Sequence, residues 1–318
     1  MSFSSKVKDE LADHVSKARH CRIAELAAIL AGCAKIRFSP PEIEVQSENV
    51  AVVKKVFILL QKIFGIQPSV SYRKGRKGSK VQQYGVCLQE PAQVWRVLTD
   101  LCFLKEKEGV LSFQTFLPEE MLQRLCCHKA YIRGAFLAGG SINDPQKNYH
   151  IEFLHEEKAQ AELLQRLLRS FEIESRILER TRPSKKMVYV LYLKNGEQIV
   201  DLLSVMKAHV SLMELENVRI VKDVRNKINR QVNCETANLN KTIGAAVKQI
   251  EDIRYLMDHG MFQQLPPELL EMAQVRLENE DLPLKELGRL LNPPVSKSGV
   301  NHRLRRLSEM AQELREKI

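Results

Sequence analysis

The stretch Tyr131–Ser141, Tyr-Ile-Arg-Gly-Ala-Phe-Leu-Ala-Gly-Gly-Ser, limits the fold more than any other part of the chain. It is apolar, dense in small side chains, and carries one charge, Arg133. Small residues at Gly134, Ala135, Ala138 and Gly139 let a helix approach another backbone closely, as in small-residue helix pairs elsewhere. A second stretch, Glu25–Ala34, has the same character: Ala-Ile-Leu-Ala-Gly32 aligns on Ala-Phe-Leu-Ala-Gly139 at an offset of 107 residues. A repeat this long predicts two similar domain halves rather than a solenoid, whose period is roughly 20–50 residues.

The surrounding pattern recurs as well. A helix is predicted over Ser4–Ala18, with Val7, Leu11 and Val15 on one stripe, followed by the small-residue helix Arg22–Ala34. Glu42–Val45 alternates as a strand. Val50–Phe64 then places Val53, Val56, Phe57, Leu60 and Phe64 at helical spacing, with Pro68 beyond its end. Strands at Ser69–Tyr72 and Gln82–Leu88 flank the basic loop Arg73–Lys80. In the second half, the strand Tyr149–Leu154, the helix Lys158–Phe171 and the strands Ser175–Leu178 and Met187–Leu193 follow in the same order, the last two joined by Glu179–Lys186. Ile43 corresponds to Ile151, Ile66 to Ile173, and the two basic loops to each other.

From Ile199 the pattern turns helical. Asp201–Asn217 is apolar at Leu202, Leu203, Val205, Met206, Val210 and Leu215, and Ile220–Asn240 is polar and basic. Helices follow at Thr242–Met257, from Pro266 to about Asn279, at Leu284–Leu291 and, after Asn292-Pro-Pro294, at Ser296–Glu313. The expected fold class is α+β followed by all-α. A pseudo-twofold domain covers 1–210, in halves of about 1–105 and 120–210. A linker spans 211–218, and a helical domain covers 219–318 with a helix-turn-helix at about 284–308. A length of 318 residues agrees with two domains.

A net charge of +10 and a pI near 9.2 favour a polyanionic partner, nucleic acid or an anionic membrane. No apolar run is long enough to span a bilayer, since Glu25 interrupts the best candidate, and Met1–Lys6 lacks the apolar core of a signal peptide. Seven cysteines, an odd count, fit a reducing cytoplasm better than a disulfide scaffold.

The C-terminal pair of helices carries the clearest functional signal. Leu284, Leu287, Leu290 and Leu291 give the first a buried face, and Pro293 and Pro294 forbid its continuation. Ser296 suits the N-cap of the second, in which Val300, Leu304 and Leu307 share one side. Ser296, Lys297, Ser298, Asn301, His302, Arg305 and Arg306 are left for the outside, with no acid between Glu286 and Glu309. Phosphate meets no repulsion there, and Asn and Arg can pair base edges in a major groove. The competing reading is a solvated basic helix.

The two basic loops form a second candidate surface, through Arg73, Lys74, Arg76 and Lys77 in the first and Arg180, Arg182 and Lys185 in the second. Asn49–Gln89 contains no acid while carrying Lys54, Lys55 and Lys62 as well. Phosphate contacts and simple solvation weigh equally here. His20-Cys21 and Cys126-Cys127-His128 precede the repeat helices at matching offsets, but adjacent ligands lack structural-zinc spacing, so buried thiols are expected and no metal or cofactor. No P-loop, Gly-x-Ser-x-Gly or His-Glu-x-x-His is present, and Asp144 has only Arg37 near its counterpart position, so no acidic pair forms.

Arg133–Ile142 resembles the helix motif of LAGLIDADG homing endonucleases. The resemblance implies two such helices packed along a pseudo-dyad, with a metal-holding acid at each C-terminal end. Those acids fall at Gly32 and Gly139 here, so the packing part of the motif survives without its chemistry. Leu284–Leu307, Asn226–Thr242 and Arg133–Ser141 together resemble the WhiA family over nearly the whole chain. That resemblance implies a nuclease-dead LAGLIDADG domain fused to a helix-turn-helix in a bacterial transcription regulator, acting in sporulation, cell division or chromosome segregation. The strands and basic loops would then form a saddle for duplex DNA. Promoter DNA is the expected partner, with another regulator or the transcription machinery beside it, no membrane, and a cytoplasmic, nucleoid-associated location. The other classes considered are a LAGLIDADG nuclease using other acids and a protein-binding scaffold.

Overall fold

The computed structural model describes residues 2–73, 82–107, 110–115, 117–183 and 186–317. Two compact units divide at Val221 and Lys222.

In the first unit, α1 (Phe3–Asp13) precedes α2 (Arg19–Cys33), which passes without a loop into β1 (Ala34–Phe38). Then come β2 (Pro41–Ser47), α3 (Val50–Phe64), β3 (Ser69–Arg73) and β4 (Gln83–Leu88). Asn49 caps α3 by accepting from the Ala51 N–H at 2.7 Å, and Gly65 ends it with φ of 71°. A connecting region holds α4 (Pro91–Asp100), β5 (Leu104–Lys107) and β6 (Val110–Phe113), which the repeat pattern does not foresee. The second half supplies α5 (Leu125–Gly139), β7 (Gly140–Ile142), β8 (Ile151–His155), α6 (Lys158–Arg169), β9 (Arg176–Thr181) and β10 (Met187–Leu193).

The two halves build matching antiparallel sheets, β1-β2-β4-β3 and β7-β8-β10-β9. Ile36 opposes Ile43 in the first, and Ile142 opposes Ile151 in the second. The strands β1 and β7 were not expected. Each continues directly from a helix and pairs with the next strand in the chain, β1 with β2 across the short turn at Ser39-Pro40 and β7 with β8. Helix α1 is also shorter than predicted, because His14 turns extended and caps it at Asp13.

Helices α2 and α5 pack against each other at very short range. A Cβ on Gly32 would lie 2.7 Å from Ala138 Cβ, and one on Gly134 only 2.4 Å from the Glu25 carbonyl oxygen. Larger side chains at those two positions would force the helices apart. The seam also buries charge. Glu25, Lys55 and Arg133 are all withdrawn from solvent. Arg133 donates to both Glu25 oxygens, Nε to Oε1 at 2.7 Å and Nη2 to Oε2 at 2.9 Å. Lys55 Nζ lies 2.9 Å from Glu25 Oε1 and donates to the carbonyls of Leu11 and His14. Burial lowers the pKa of the Lys55 ammonium and Glu25 opposes that shift. Lys55 therefore belongs to the core and not to the phosphate-facing run in which the sequence placed it.

The predicted helix Asp201–Asn217 is two helices, α7 (Gly196–Met206) and α8 (His209–Asp258), because Lys207 adopts a left-handed φ of 71°. The segment 211–218, expected as a linker, lies inside α8, with Ser211 and Leu215 buried. Helix α8 continues through the polar stretch 220–240 into the second unit.

In the second unit, α9 (Pro267–Glu278), α10 (Leu284–Leu290) and α11 (Lys297–Lys317) follow α8. Their core joins Ile253, Leu256, Met272, Ala273, Leu287, Leu291, Val300, Leu304, Leu307 and Ala311. The fold class is thus α+β with a pseudo-twofold architecture, followed by an all-α domain that ends in a helix-turn-helix.

Candidate nucleic-acid interface

The helix-turn-helix is held by its turn. The Val295 N–H donates to the Gly288 carbonyl at 2.8 Å, and a Cβ on Gly288 would stand 2.2 Å from the Val295 oxygen. Glycine is needed there because the turn lies directly on α10. Ser296 caps α11: its hydroxyl accepts from the Gly299 N–H at 3.3 Å, and its carbonyl accepts from Val300 N–H at 3.0 Å. Val300, Leu304, Leu307 and Ala311 are buried, which fixes the rotation of the helix.

That rotation leaves Ser296, Lys297, Ser298, Asn301, His302, Arg305 and Arg306 exposed. Lys297, Asn301 and Arg305 are spaced i, i+4, i+8 and form one row; Ser298 and His302 stand beside it. One carboxylate holds both arginines. Arg305 Nε is 3.2 Å from Glu309 Oε1, and Arg306 Nη1 is 3.2 Å from Glu309 Oε2. The acid-free run ends just before this restraint, which sequence reasoning missed. The i, i+4 and i, i+3 spacings to Glu309 were the available signal. Arg303 is held apart by Glu268 at 3.1 Å.

In the first unit, Arg73 ends β3, is exposed, and has Nη2 3.7 Å from Glu44 Oε1. Arg176, Leu178 and Arg180 alternate with Ile177, which packs on the core, so the two arginines face away from it. Arg182 is half-buried in the turn after β9, where its N–H donates to the Lys186 carbonyl at 2.9 Å. Lys74, Arg76, Lys77 and Lys185 lie outside the described residues. The face with Arg73 is not purely basic. Glu42 accepts from Cys87, Gln89 and Arg37, and these hydrogen bonds, Cys87 first, hold its carboxyl down at about 2.

At the C-terminal ends of the seam, Gly32 and Gly139 offer no side-chain ligand. Glu25 is committed to Arg133 and Lys55. Asp144 is committed to a turn, accepting from the Gln146 N–H at 2.9 Å.

The amino-acid pattern of the WhiA N-terminal LAGLIDADG-like domain matches residues 19–104, that of the WhiA LAGLIDADG-like domain matches 128–225, and that of the WhiA C-terminal HTH domain matches 228–311. A protein of Alkaliphilus oremlandii named "Probable cell division protein WhiA" is 44% identical over 99% of this chain and 98% of its own. One of Clostridium botulinum with the same name is 42% identical over 100% of both chains. The crystal structure of full-length DUF199/WhiA from Thermatoga maritima covers 98% of this chain and 99% of its own at a TM-score of 0.57 and 22% identity, a likeness of fold. Among the described residues, no helix is long and apolar enough to cross a membrane.

Proposed function

The chain belongs to the WhiA family, and from that premise we propose that it is a sequence-specific DNA-binding transcriptional regulator. The observation that carries this reading is the exposed, basic, acid-free face Ser296–Arg306 of α11 in a helix-turn-helix whose opposite face is packed. Lys297, Asn301 and Arg305 would enter a major groove, with Ser296, Ser298, His302 and Arg306 on flanking bases or phosphates. Arg73, Lys74, Arg76, Lys77, Arg180, Arg182 and Lys185 of the saddle would supply phosphate contacts that position without reading sequence. Two linked binders raise each other's effective concentration.

The regulated processes would be cell division, chromosome segregation or sporulation, consistent with the name of the relatives. Promoter DNA in the cytoplasmic nucleoid is the partner, and the LAGLIDADG-like domain acts without catalysis. The bare Gly32 and Gly139 positions favour this over a nuclease, whose two-metal chemistry needs carboxylates beside the scissile phosphate.

A genome-wide occupancy map with the full-length chain should give discrete promoter peaks. On one such site, Arg305→Ala should cost about 1–3 kcal/mol, the range of a bidentate base contact, and much less on random DNA. Glu309→Gln should strengthen binding to both by releasing Arg305 and Arg306. An equal Arg305→Ala loss on specific and random DNA would make that residue a phosphate contact. No discrete peaks would refute the regulator reading.

A further inference from the structure

Four soft or nitrogenous donors converge at the end of the helix seam opposite Gly32 and Gly139. His20 and Cys21 lie in the first turn of α2, and Cys126 and Cys127 in the first turn of α5. The His20 imidazole nitrogen and the three sulfurs all fall within 4.8 Å of one another. His20 Nδ1 is 3.2 Å from Cys127 Sγ and 3.3 Å from Cys21 Sγ. Sulfurs around a tetrahedral zinc, at Zn–S of about 2.3 Å, stand roughly 3.8 Å apart, so closing on an ion takes shifts of about an ångström.

Adjacent ligands suffice here, against the expectation from spacing, because each helix contributes one pair and the fold assembles the set. The halves are not equivalent at this point. Residues 107 apart pair His20 with Cys127 and Cys21 with His128, yet His128 is turned away, with Nε2 2.6 Å from the Leu122 carbonyl and Nδ1 2.9 Å from Ser170 Oγ. Cys126 takes its place. Thiols acting as small hydrophobes explain the buried Cys21 and Cys127. They do not explain an exposed Cys126 and a half-buried His20 gathered on the same point.

Three thiolates and a divalent cation sum to one negative charge, and the N-termini of two helices meet it with positive dipole ends. Arg124 Nη1, 3.4 Å from His20 Nε2, adds a cation on an exposed side chain free to turn aside when the ring takes up the ion through Nδ1.

We propose that His20, Cys21, Cys126 and Cys127 bind one zinc ion, a closed Cys3His site that staples the two halves of the first unit. Four protein ligands leave no open position, so the ion is structural rather than catalytic. It is also distinct from a LAGLIDADG metal, since Cys21 and Gly32 are about 17 Å apart along α2 at 1.5 Å per residue.

The test uses the full-length chain, reduced and stripped with chelator. Zinc is titrated against a chromophoric competitor, and cobalt is followed by its ligand-field and thiolate charge-transfer absorption. One ion per chain and the cobalt–thiolate bands are expected. Losing an outer partner of a metal site costs roughly 10–100-fold in affinity, so losing a ligand through Cys126→Ser or His20→Ala should cost more than about 100-fold. Cys234→Ser, exposed on α8, should change nothing. Trp95 fluorescence checks that the exposed-site variant Cys126→Ser stays folded. Wild-type affinity in Cys126→Ser would overturn the site. So would absence of cobalt–thiolate bands in the reduced wild type, including the case where the purified chain instead carries a disulfide within the cluster.

Discussion

Removing the carboxylate of Glu25 should be far more damaging than its single buried ion-pair cluster suggests. Glu25→Gln keeps the shape of the side chain and leaves two cations, Lys55 and Arg133, in a site with no exposure. Breaking a buried pair by removing one partner costs about 3–5 kcal/mol, because the surviving charge is uncompensated. Arg133 still donates to Ser16 Oγ at 3.2 Å. Lys55, its pKa already lowered by burial, can shed a proton, which places the cost near the lower end, about 3 kcal/mol. A domain stable by about 5–15 kcal/mol would lose a large share. The single tryptophan, Trp95, lies in α4 of the first unit, so urea unfolding followed by its fluorescence reports the relevant unit. The companion variant replaces Glu25, Lys55 and Arg133 together by Met and should recover most of the loss, since apolar replacement of a whole buried ion cluster is often neutral. A Glu25→Gln stability within about 1 kcal/mol of wild type would refute the reasoning.

Changing Arg73, Lys74, Arg76 and Lys77 to Ala should weaken binding to all DNA sequences alike and flatten log K against log salt by about 0.9 for each phosphate no longer neutralised; an unchanged slope would assign these residues to solvation or to a protein partner. Gly32→Asp should destabilise the first unit by about 1–3 kcal/mol, since its Cβ alone would sit 2.7 Å from Ala138 Cβ, without conferring plasmid nicking in magnesium; metal-dependent cutting by the purified wild-type chain would reverse the non-enzyme reading. Stability of the first unit should fall as pH drops from about 6.5 towards 4. Burial holds His155 at about 4, so over that window the unfolded chain takes up a proton that the native state refuses, costing up to about 3 kcal/mol in all. His14, also lowered to about 4 by burial, acts with the same sign, so the check is that His155→Leu reduces the pH slope of the Trp95 transition; an unchanged slope would exclude His155.

The parts of the fold written in local periodicity were legible. Val50–Phe64 appears with the predicted bounds because a stripe of apolar residues, an Asn cap and a terminal Gly all agree. Strand β7 was not, since Gly140–Ile142 has no strand signature and exists through its pairing with Ile151–Phe153, whereas β1, Ala-Lys-Ile-Arg-Phe38, alternates and was readable as the first arm of a hairpin with β2. Lys55 looked solvated because its partner, Glu25, comes from another helix. The continuity of α8 was readable in principle, as no proline occurs between Pro183 and Pro266, but the change from apolar Asp201–Asn217 to polar, basic Ile220–Asn240 suggested a boundary near 211–218. At the candidate interface, the outward set on α11 followed from the buried i, i+4, i+7 row, whereas the arginines' restraint by Glu309 needed the geometry. The His–Cys donors were visible as matching pairs before the two repeat helices, but spacing within each pair argued against a shared site, because the set is completed only by two helices about 107 residues apart in the chain.

The Glu25–Lys55–Arg133 cluster also determines which half can partner which. At the 107-residue offset, Glu25 corresponds to Ile132, Arg133 to Leu26 and Lys55 to Glu162, so none of the three charges has a like-for-like mate. Two copies of the first half, brought together as a symmetric pair, would set Glu25 against Leu26 and supply no guanidinium. Two copies of the second would set Arg133 against Ile132, without the carboxylate that Glu25 supplies. The halves share a backbone plan but are not interchangeable, and each discriminates against its own duplicate. Fusion in one chain therefore does more than raise local concentration: it delivers the unlike partner, and the buried charge rejects pairing between like halves of neighbouring molecules.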